Sequence, residues 1–151
     1  MSKIFTATDI NQNKFSANES DFSFRISSYG VLIEDGKILL QKSPLSHFYN
    51  LPGGGVEVGE SEKDAVVREF NEETGYQVVY KKHLDFGFNL FTFENNFFHN
   101  FFVFSEVERI SLEVGNITDP EDSSEAKFFD LKSLDINIVN PIHRSIIEKY
   151  L

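Results

Sequence analysis

Apolar residues recur along this chain at two spacings, and the switch between them marks its organisation. Residues 22–33 and 37–42 are rich in β-branched and aromatic residues at strand spacing. Glu34-Asp35-Gly36 between them predicts a hairpin turn. Residues 77–86 alternate as a strand. Residues 88–93 and 97–106 are expected to pair as a hairpin around Asn95-Asn96, and 126–130 to form a short strand. At the N-terminus, residues 4–8 read as a short edge strand. The rest of 1–21, polar and rich in Asn and Ser, reads as a peripheral arm. Residues 43–50, broken by Pro44, and 109–125, with Asp119-Pro120 as a turn marker, are expected as loops.

The spacing becomes helical in two places. Over residues 62–74, Ser61 is a candidate N-cap with Asp64 three positions on, and Gly75 is a natural stop in the left-handed conformation. At helical advance Val66, Val67 and Phe70 share one arc. Glu69, Glu72 and Glu73 fall on the neighbouring arc beside Ala65. The apolar arc must face a core, which puts the acidic one at the core's edge. Asn140-Pro141 starts a second helix with Pro at its first position, and Ile142, Ile146, Ile147, Tyr150 and Leu151 give it a buried stripe. Strands before and after one central helix, with another helix at the end, predict an α/β chain with a mixed sheet between helical layers.

Composition narrows the function. The 151 residues suit one domain, 1–151, with a sizeable core, and no internal repeat or linker divides it. A net charge of -10 argues against a nucleic-acid backbone as partner, which needs clustered Lys and Arg. Small phosphorylated substrates stay open, because a cation can supply positive charge locally. Without cysteine there is neither a disulfide framework nor thiol chemistry. No apolar run reaches the length of a membrane span, and the N-terminus lacks a signal-peptide layout. A cytoplasmic location is therefore expected.

The acidic arc is the feature with chemical content. Glu69 faces Glu72 and Glu73 at i,i+3 and i,i+4, spacings at which like charges cost roughly 0.2–0.5 kcal/mol per pair. Arg68 and Lys63 offset only part of this. An acidic helix face is ordinarily a solvated one, and Arg68 to Glu73 alone would be read that way. The wider context reverses the reading: Gly53-Gly54-Gly55 precede the helix, Glu60 follows them, and Gly75 ends it. A divalent cation would turn the repulsion into binding. Magnesium, with manganese as a substitute, suits a few carboxylates that share it with substrate phosphates.

The stretch from Gly54 to Tyr76 fits G-x5-E-x7-R-E-U-x-E-E-x-G-U, where U is bulky and apolar. Gly54, Glu60, Arg68, Glu69, Phe70, Glu72, Glu73, Gly75 and Tyr76 fill the fixed positions. It resembles the Nudix box, the loop-helix-loop signature of the Nudix (MutT-like) hydrolases. The order of elements extends the similarity over roughly residues 25–134. The resemblance implies an α/β/α sandwich and metal-dependent hydrolysis of a diphosphate linkage in a nucleotide or nucleoside diphosphate derivative. It implies Glu69 and Glu73 as the main metal ligands, and Glu72 as a further ligand or the group that deprotonates water. A backbone carbonyl near Gly53 completes the metal site, and Arg68 orients a carboxylate. A catalytic acid from a later loop is common in the family. Glu121, Asp122 and Glu125 are the candidates, with Glu121 preferred.

Substrate contacts are expected from Gly54 and Gly55, whose backbone allows close approach, and from Arg25 toward phosphate. His47, Phe48 and Tyr49 are expected to stack on a base or ribose. The aromatic run 86–104 reads mostly as core, with one or two rings left for a pocket. Phe91-Thr92-Phe93 occupies the region where a proline marks many ADP-ribose pyrophosphatases and a tyrosine many dinucleoside polyphosphate hydrolases. Neither marker is present. The partner expected is a small phosphorylated substrate, with a homodimer left open. A nucleotide-binding sensor with little catalysis is the alternative, and the complete carboxylate set argues against it.

Overall fold

The computed structural model describes residues 1–151 except 122 and 124. Among the described residues nine strands run in chain order: β1 (Ile4–Thr8), β2 (Lys14–Asn18), β3 (Phe22–Val31), β4 (Ile33–Glu34), β5 (Lys37–Lys42), β6 (Gly53–Gly55), β7 (Val78–Phe93), β8 (Asn96–Arg109) and β9 (Glu125–Asp130). Helix α1 spans Glu62–Thr74 and α2 spans Pro141–Glu148. A mixed sheet has the order β2-β1-β7-β8-β3-β6, and a smaller one the order β4-β5-β9. β3 lies parallel to β8 and antiparallel to β6.

Two apolar cores flank the strands. One gathers Val31, Ile38, Leu40, Leu51, Phe102 and Phe104 with Ile146 and Ile147 of α2. The other gathers Leu32, Leu39, Val78 and Val107 with Val66 and Phe70 of α1. Helices on both sides of the sheets make the α/β/α sandwich, as expected. Neighbouring Val31 and Leu32 enter different cores because successive side chains of an extended chain point to opposite faces.

Several boundaries depart from expectation. The strand over 22–33 is broken at Leu32, where the chain leaves one sheet for the other. Residues 77–86 and 88–93 fuse into a single β7. Gly87 does not break it: a Cβ there would lie 2.7 Å from the Phe102 ring on β8, so glycine is present for packing. β7 and β8 turn through Glu94 and Asn95, both at positive φ as a tight hairpin requires. The polar N-terminal segment is more ordered than its composition suggests. Asp9 accepts backbone N–H bonds from Asn11 and Asn13 at 2.9 Å each, closing a turn that pairs β1 with β2. Thr8 then joins this hairpin to Phe91 of β7. Leu151 lies beyond the end of α2 and is exposed, whereas His143 within the helix, absent from the expected stripe, is buried.

Candidate active site

Helix α1 begins and ends as its sequence dictates. Ser61 accepts the Asp64 N–H at 3.1 Å, and Gly75 closes the helix at φ 74°. Val66 and Phe70 are drawn into the core. Their burial carries Glu69 and Glu73 down against β6, where Glu73 is only 3% exposed. The fit is tight. The Gly53 N–H donates to Glu73 Oε2 at 2.8 Å, and a Cβ on Gly54 would sit 2.8 Å from the Glu69 carboxylate. The three glycines form a strand here, because only a chain without side chains can pass between β3 and these acids.

Arg68 organises the acidic arc. Its Nε and Nη2 donate to the two Glu60 oxygens at 2.8 Å each. Nη1 donates to Glu69 at 2.9 Å and Glu72 at 3.2 Å, and Nη2 also reaches the Gly55 carbonyl at 3.0 Å. All five guanidinium donors are thereby taken within the protein. Like charges that repel at helical spacing are tied to one cation. The bidentate partner shows the effect most: the Arg68 hydrogen bonds pull the Glu60 carboxyl down from 4.5 to about 2.

That shift has a pH signature. A carboxyl depressed in the folded state stabilises it fully above the unfolded value, and the contribution is lost as pH falls through the folded value. Glu60 should therefore lose its stabilising effect between pH 4.5 and about 2. In urea unfolding, the stability gap between wild type and Glu60→Gln should narrow across that window. A gap that stays constant there refutes the Arg68–Glu60 pair as a folded-state ion pair.

Glu69 and Glu73 open into a cleft of about 670 Å³. One wall is polar: Ser27 donates to Asn100 at 2.8 Å and Asn100 to Asn89 at 3.1 Å, a chain across β3, β8 and β7. Arg25 stands beside it, 5.9 Å from the Phe91 ring centroid and 5.7 Å from that of Phe98. Opposite are Gln41, Asn50 and Asn140, the last two joined at 3.0 Å. Gln41 Oε1 is buried with no hydrogen-bond partner among the described residues. His143 lines the same cleft. Burial pushes it down to about 3, so it is neutral, and its Nδ1 accepts the Leu51 N–H at 2.9 Å just before the glycines.

The sequence-predicted residues divide. Glu69, Glu73, Gly53, Gly54, Gly55, Arg25 and Glu121 all line the cleft. Glu121 arrives because the Thr118 and Asp119 N–H groups donate to the Glu72 carbonyl at 2.9 and 3.2 Å, which holds this part of the loop against the end of α1. Glu72 lies outside the cleft lining, bound to Arg68. Asp122 lies outside the described residues. Glu125 is engaged elsewhere, with the Tyr49 hydroxyl at 3.0 Å and Lys127 at 2.9 Å. His47, Phe48 and Tyr49 do not line the cleft. Tyr49 bridges to Val139 and packs its ring on Phe129 at 4.8 Å, which takes this segment away from the acids. The rings that do line it are Tyr29, Phe91 and Phe93.

Sequence reasoning missed the amide wall, His143 and the N-terminal hairpin. The turn residues Asp9, Ile10 and Gln12 also line the cleft. Asn11 fastens that turn across the opening, donating to the Leu45 carbonyl at 3.0 Å and accepting the His47 N–H at 2.8 Å. A lone polar residue among the apolar positions of α2 was the one local signal for His143.

The donor set fits a divalent cation. Among the described residues no three acidic or imidazole groups form a ready-made metal cage. Magnesium does not require one, since it takes one or two carboxylates and fills the rest of its shell with water and substrate oxygens. Glu69 and Glu73 offer two carboxylates at the cleft floor.

A family model, the NUDIX domain, matches residues 24–150. An ADP-ribose pyrophosphatase of Methanocaldococcus jannaschii is 36% identical over 125 residues, covering 81% of this chain and 70% of the relative. An RNA pyrophosphohydrolase of Ruthia magnifica is 43% identical over 51 residues, and this chain spans only 28% of its length. Among solved structures, a NUDIX hydrolase from Nitrosomonas europaea matches with a TM-score of 0.65 at 22% identity, covering 85% of this chain and 88% of that one.

Proposed function

Since the chain belongs to the Nudix hydrolase family, we propose that it cleaves the diphosphate linkage of a small nucleoside diphosphate derivative with the help of a divalent cation. The observation that carries this reading is the pair of buried carboxylates, Glu69 and Glu73, opening into the same cleft as Arg25 beneath the glycine strand. A diphosphate is anionic, and attack on it by an oxygen nucleophile is opposed by charge. Magnesium or manganese, when bound, supplies positive charge to the phosphates and lowers the pKa of coordinated water.

The chain's own residues supply the remainder. Glu69 and Glu73 would hold the cation, and a backbone carbonyl at Gly53 would be a further ligand. Arg68 holds Glu69 and Glu72 in place, with Glu60 locking the guanidinium. Arg25 receives phosphate oxygens. Glu121, on the loop edge of the cleft, is the candidate to take a proton from the attacking water, and Glu72 is the other. Phe91, Phe93 and the amides of Gln41, Asn89 and Asn100 provide stacking and hydrogen bonding for sugar and base.

A cleft of about 670 Å³ is ample for such a ligand. The M. jannaschii relative supports ADP-ribose-like compounds as the first substrates to try. The test is incubation with magnesium and a panel of nucleoside diphosphate sugars, dinucleotides and nucleoside triphosphates, with products identified by mass. One class should yield two phosphorylated fragments, or a mononucleotide with pyrophosphate, only when the cation is present. Tight binding across the panel with no product would overturn hydrolysis in favour of a sensor.

A further inference from the structure

Helix α1 covers only part of the sheet face on which it lies. Ser28 and Gly30 of β3 are under it: the Ser28 hydroxyl donates to the Glu62 carbonyl at 2.7 Å, and a Cβ on Gly30 would lie 2.8 Å from the Phe70 ring. Alternation along β3 puts Ile26 and Phe24 on that same face, beyond the helix. The strand register continues the row. Phe24 pairs with His99 and Ile26 with Phe101 on β8. Phe101 in turn pairs with Phe88 on β7, two positions from Phe86.

The rings form one connected surface. His99 lies 5.1 Å from Phe24, 5.2 Å from Phe88 and 5.6 Å from Phe101, centroid to centroid. They are also open to solvent: Phe24 is 81% exposed, Phe86 66%, Phe88 61% and Phe101 44%. At about 200 Å² per phenylalanine the four rings present roughly 500 Å² of apolar area, near the upper end for a monomeric surface. A standard interface takes about 800 Å² from each partner, of which roughly 60% is apolar. The patch therefore matches the apolar core of one side of such an interface.

We propose that this face is covered by a second copy of the chain, packed sheet to sheet about a twofold axis. The area of the patch and its lack of charge both suit that occupant. The chain carries a net charge of -10, and pairing through an uncharged patch places no like charges at the centre of the contact. None of Phe24, Ile26, Phe86, Phe88, His99 and Phe101 is acidic or basic in the manner of Asp, Glu, Lys or Arg. An aromatic row is self-complementary across a twofold axis, where each residue meets the same surface it belongs to. A nucleic acid or an anionic membrane would need cations that the patch lacks. The same strands carry Arg25, Asn89 and Asn100 on their opposite face, so pairing would brace the polar wall of the cleft.

The test is the molar mass of the full chain by sedimentation equilibrium, for wild type, Phe24→Glu and Phe88→Glu. Phe24 is too exposed for its replacement to disturb the core, so that variant keeps its circular dichroism and melting temperature. Wild type should have twice the chain mass and Phe24→Glu half the wild-type value. Leu112→Glu, at an exposed apolar residue beyond the end of β8 and outside the patch, should remain dimeric. A wild type that is monomeric at the highest concentration, including one that instead sediments with neutral lipid vesicles, overturns the proposal. A dimer that survives both glutamate variants does so as well.

Discussion

Replacing Glu73 with glutamine is expected to cut turnover by about 100-fold or more while leaving the fold nearly as stable as wild type. The two effects separate because the side chain does two jobs. The amide oxygen of glutamine still accepts the Gly53 N–H, which in wild type reaches Glu73 Oε2 at 2.8 Å, so β6 stays seated. The negative charge, however, is gone from the cleft floor. Loss of a group that merely supports a metal ligand costs about 10- to 100-fold, and loss of a carboxylate that holds the cation should cost at least as much. The check is turnover at saturating substrate over a magnesium titration, alongside thermal unfolding. Turnover and magnesium dependence equal to wild type would remove Glu73 from the metal site.

Gly53→Ala is expected to strike the fold itself. Gly53 sits at φ 152°, and a Cβ there would lie 2.1 Å from the Ser28 carbonyl oxygen and 2.6 Å from the Tyr29 Cα. Both are backbone atoms of the paired strand, so neither can swing aside. A clash of this kind at a strained position is expected to cost about 3 kcal/mol. For a chain of this size that lowers the melting temperature by roughly 10 °C. Gly54→Ala makes a telling comparison. Its Cβ would meet the end of the Glu69 side chain at 2.8 Å, and a carboxylate can yield. That variant should melt close to wild type and lose activity. If the two alanine variants melt alike, β6 is not held by the β3 backbone.

The acidic helix was legible because its information is local. Ser61 and Gly75 set its ends, Val66 and Phe70 set its buried side, and the spacing of Glu69, Glu72 and Glu73 follows from helical advance alone. The glycines before it were legible in part, since three in a row suit a tight turn or a close backbone passage, and strand β6 is the close passage. Arg25 and Glu121 were harder, because nothing near them in the chain sets their direction. Arg25 reaches the cleft through the β3–β8 pairing, and Glu121 through two bonds to the Glu72 carbonyl.

Residues 47–49 show the opposite case. An aromatic pair beside a histidine, just before the glycines, suggested a stacking platform. The bridge from Tyr49 to Val139 and the packing of its ring on Phe129 keep that platform out of the cleft lining, although Pro44 and Asn50 on either side of it are in it. Two of the rings that line the cleft, Phe91 and Phe93, belong to the aromatic run that composition assigned mainly to the core. In that run every strand residue looks alike in one dimension. Which ring is buried, which lines a cleft and which faces water depends on what lies across the sheet.

By itself, then, the sequence determined the order of strands and helices, from which the sandwich class follows, the capped helix and the carboxylates that a cation would need, since these rest on the spacing of residues near one another in the chain. Tertiary structure alone decided the walls of the cleft: the Ser27–Asn100–Asn89 chain, the neutral His143 beneath Leu51 and the N-terminal turn clamped by Asn11. These join segments separated by tens of residues, and their partners are chosen by strand register and core packing. Neither is written in the local spacing of side chains.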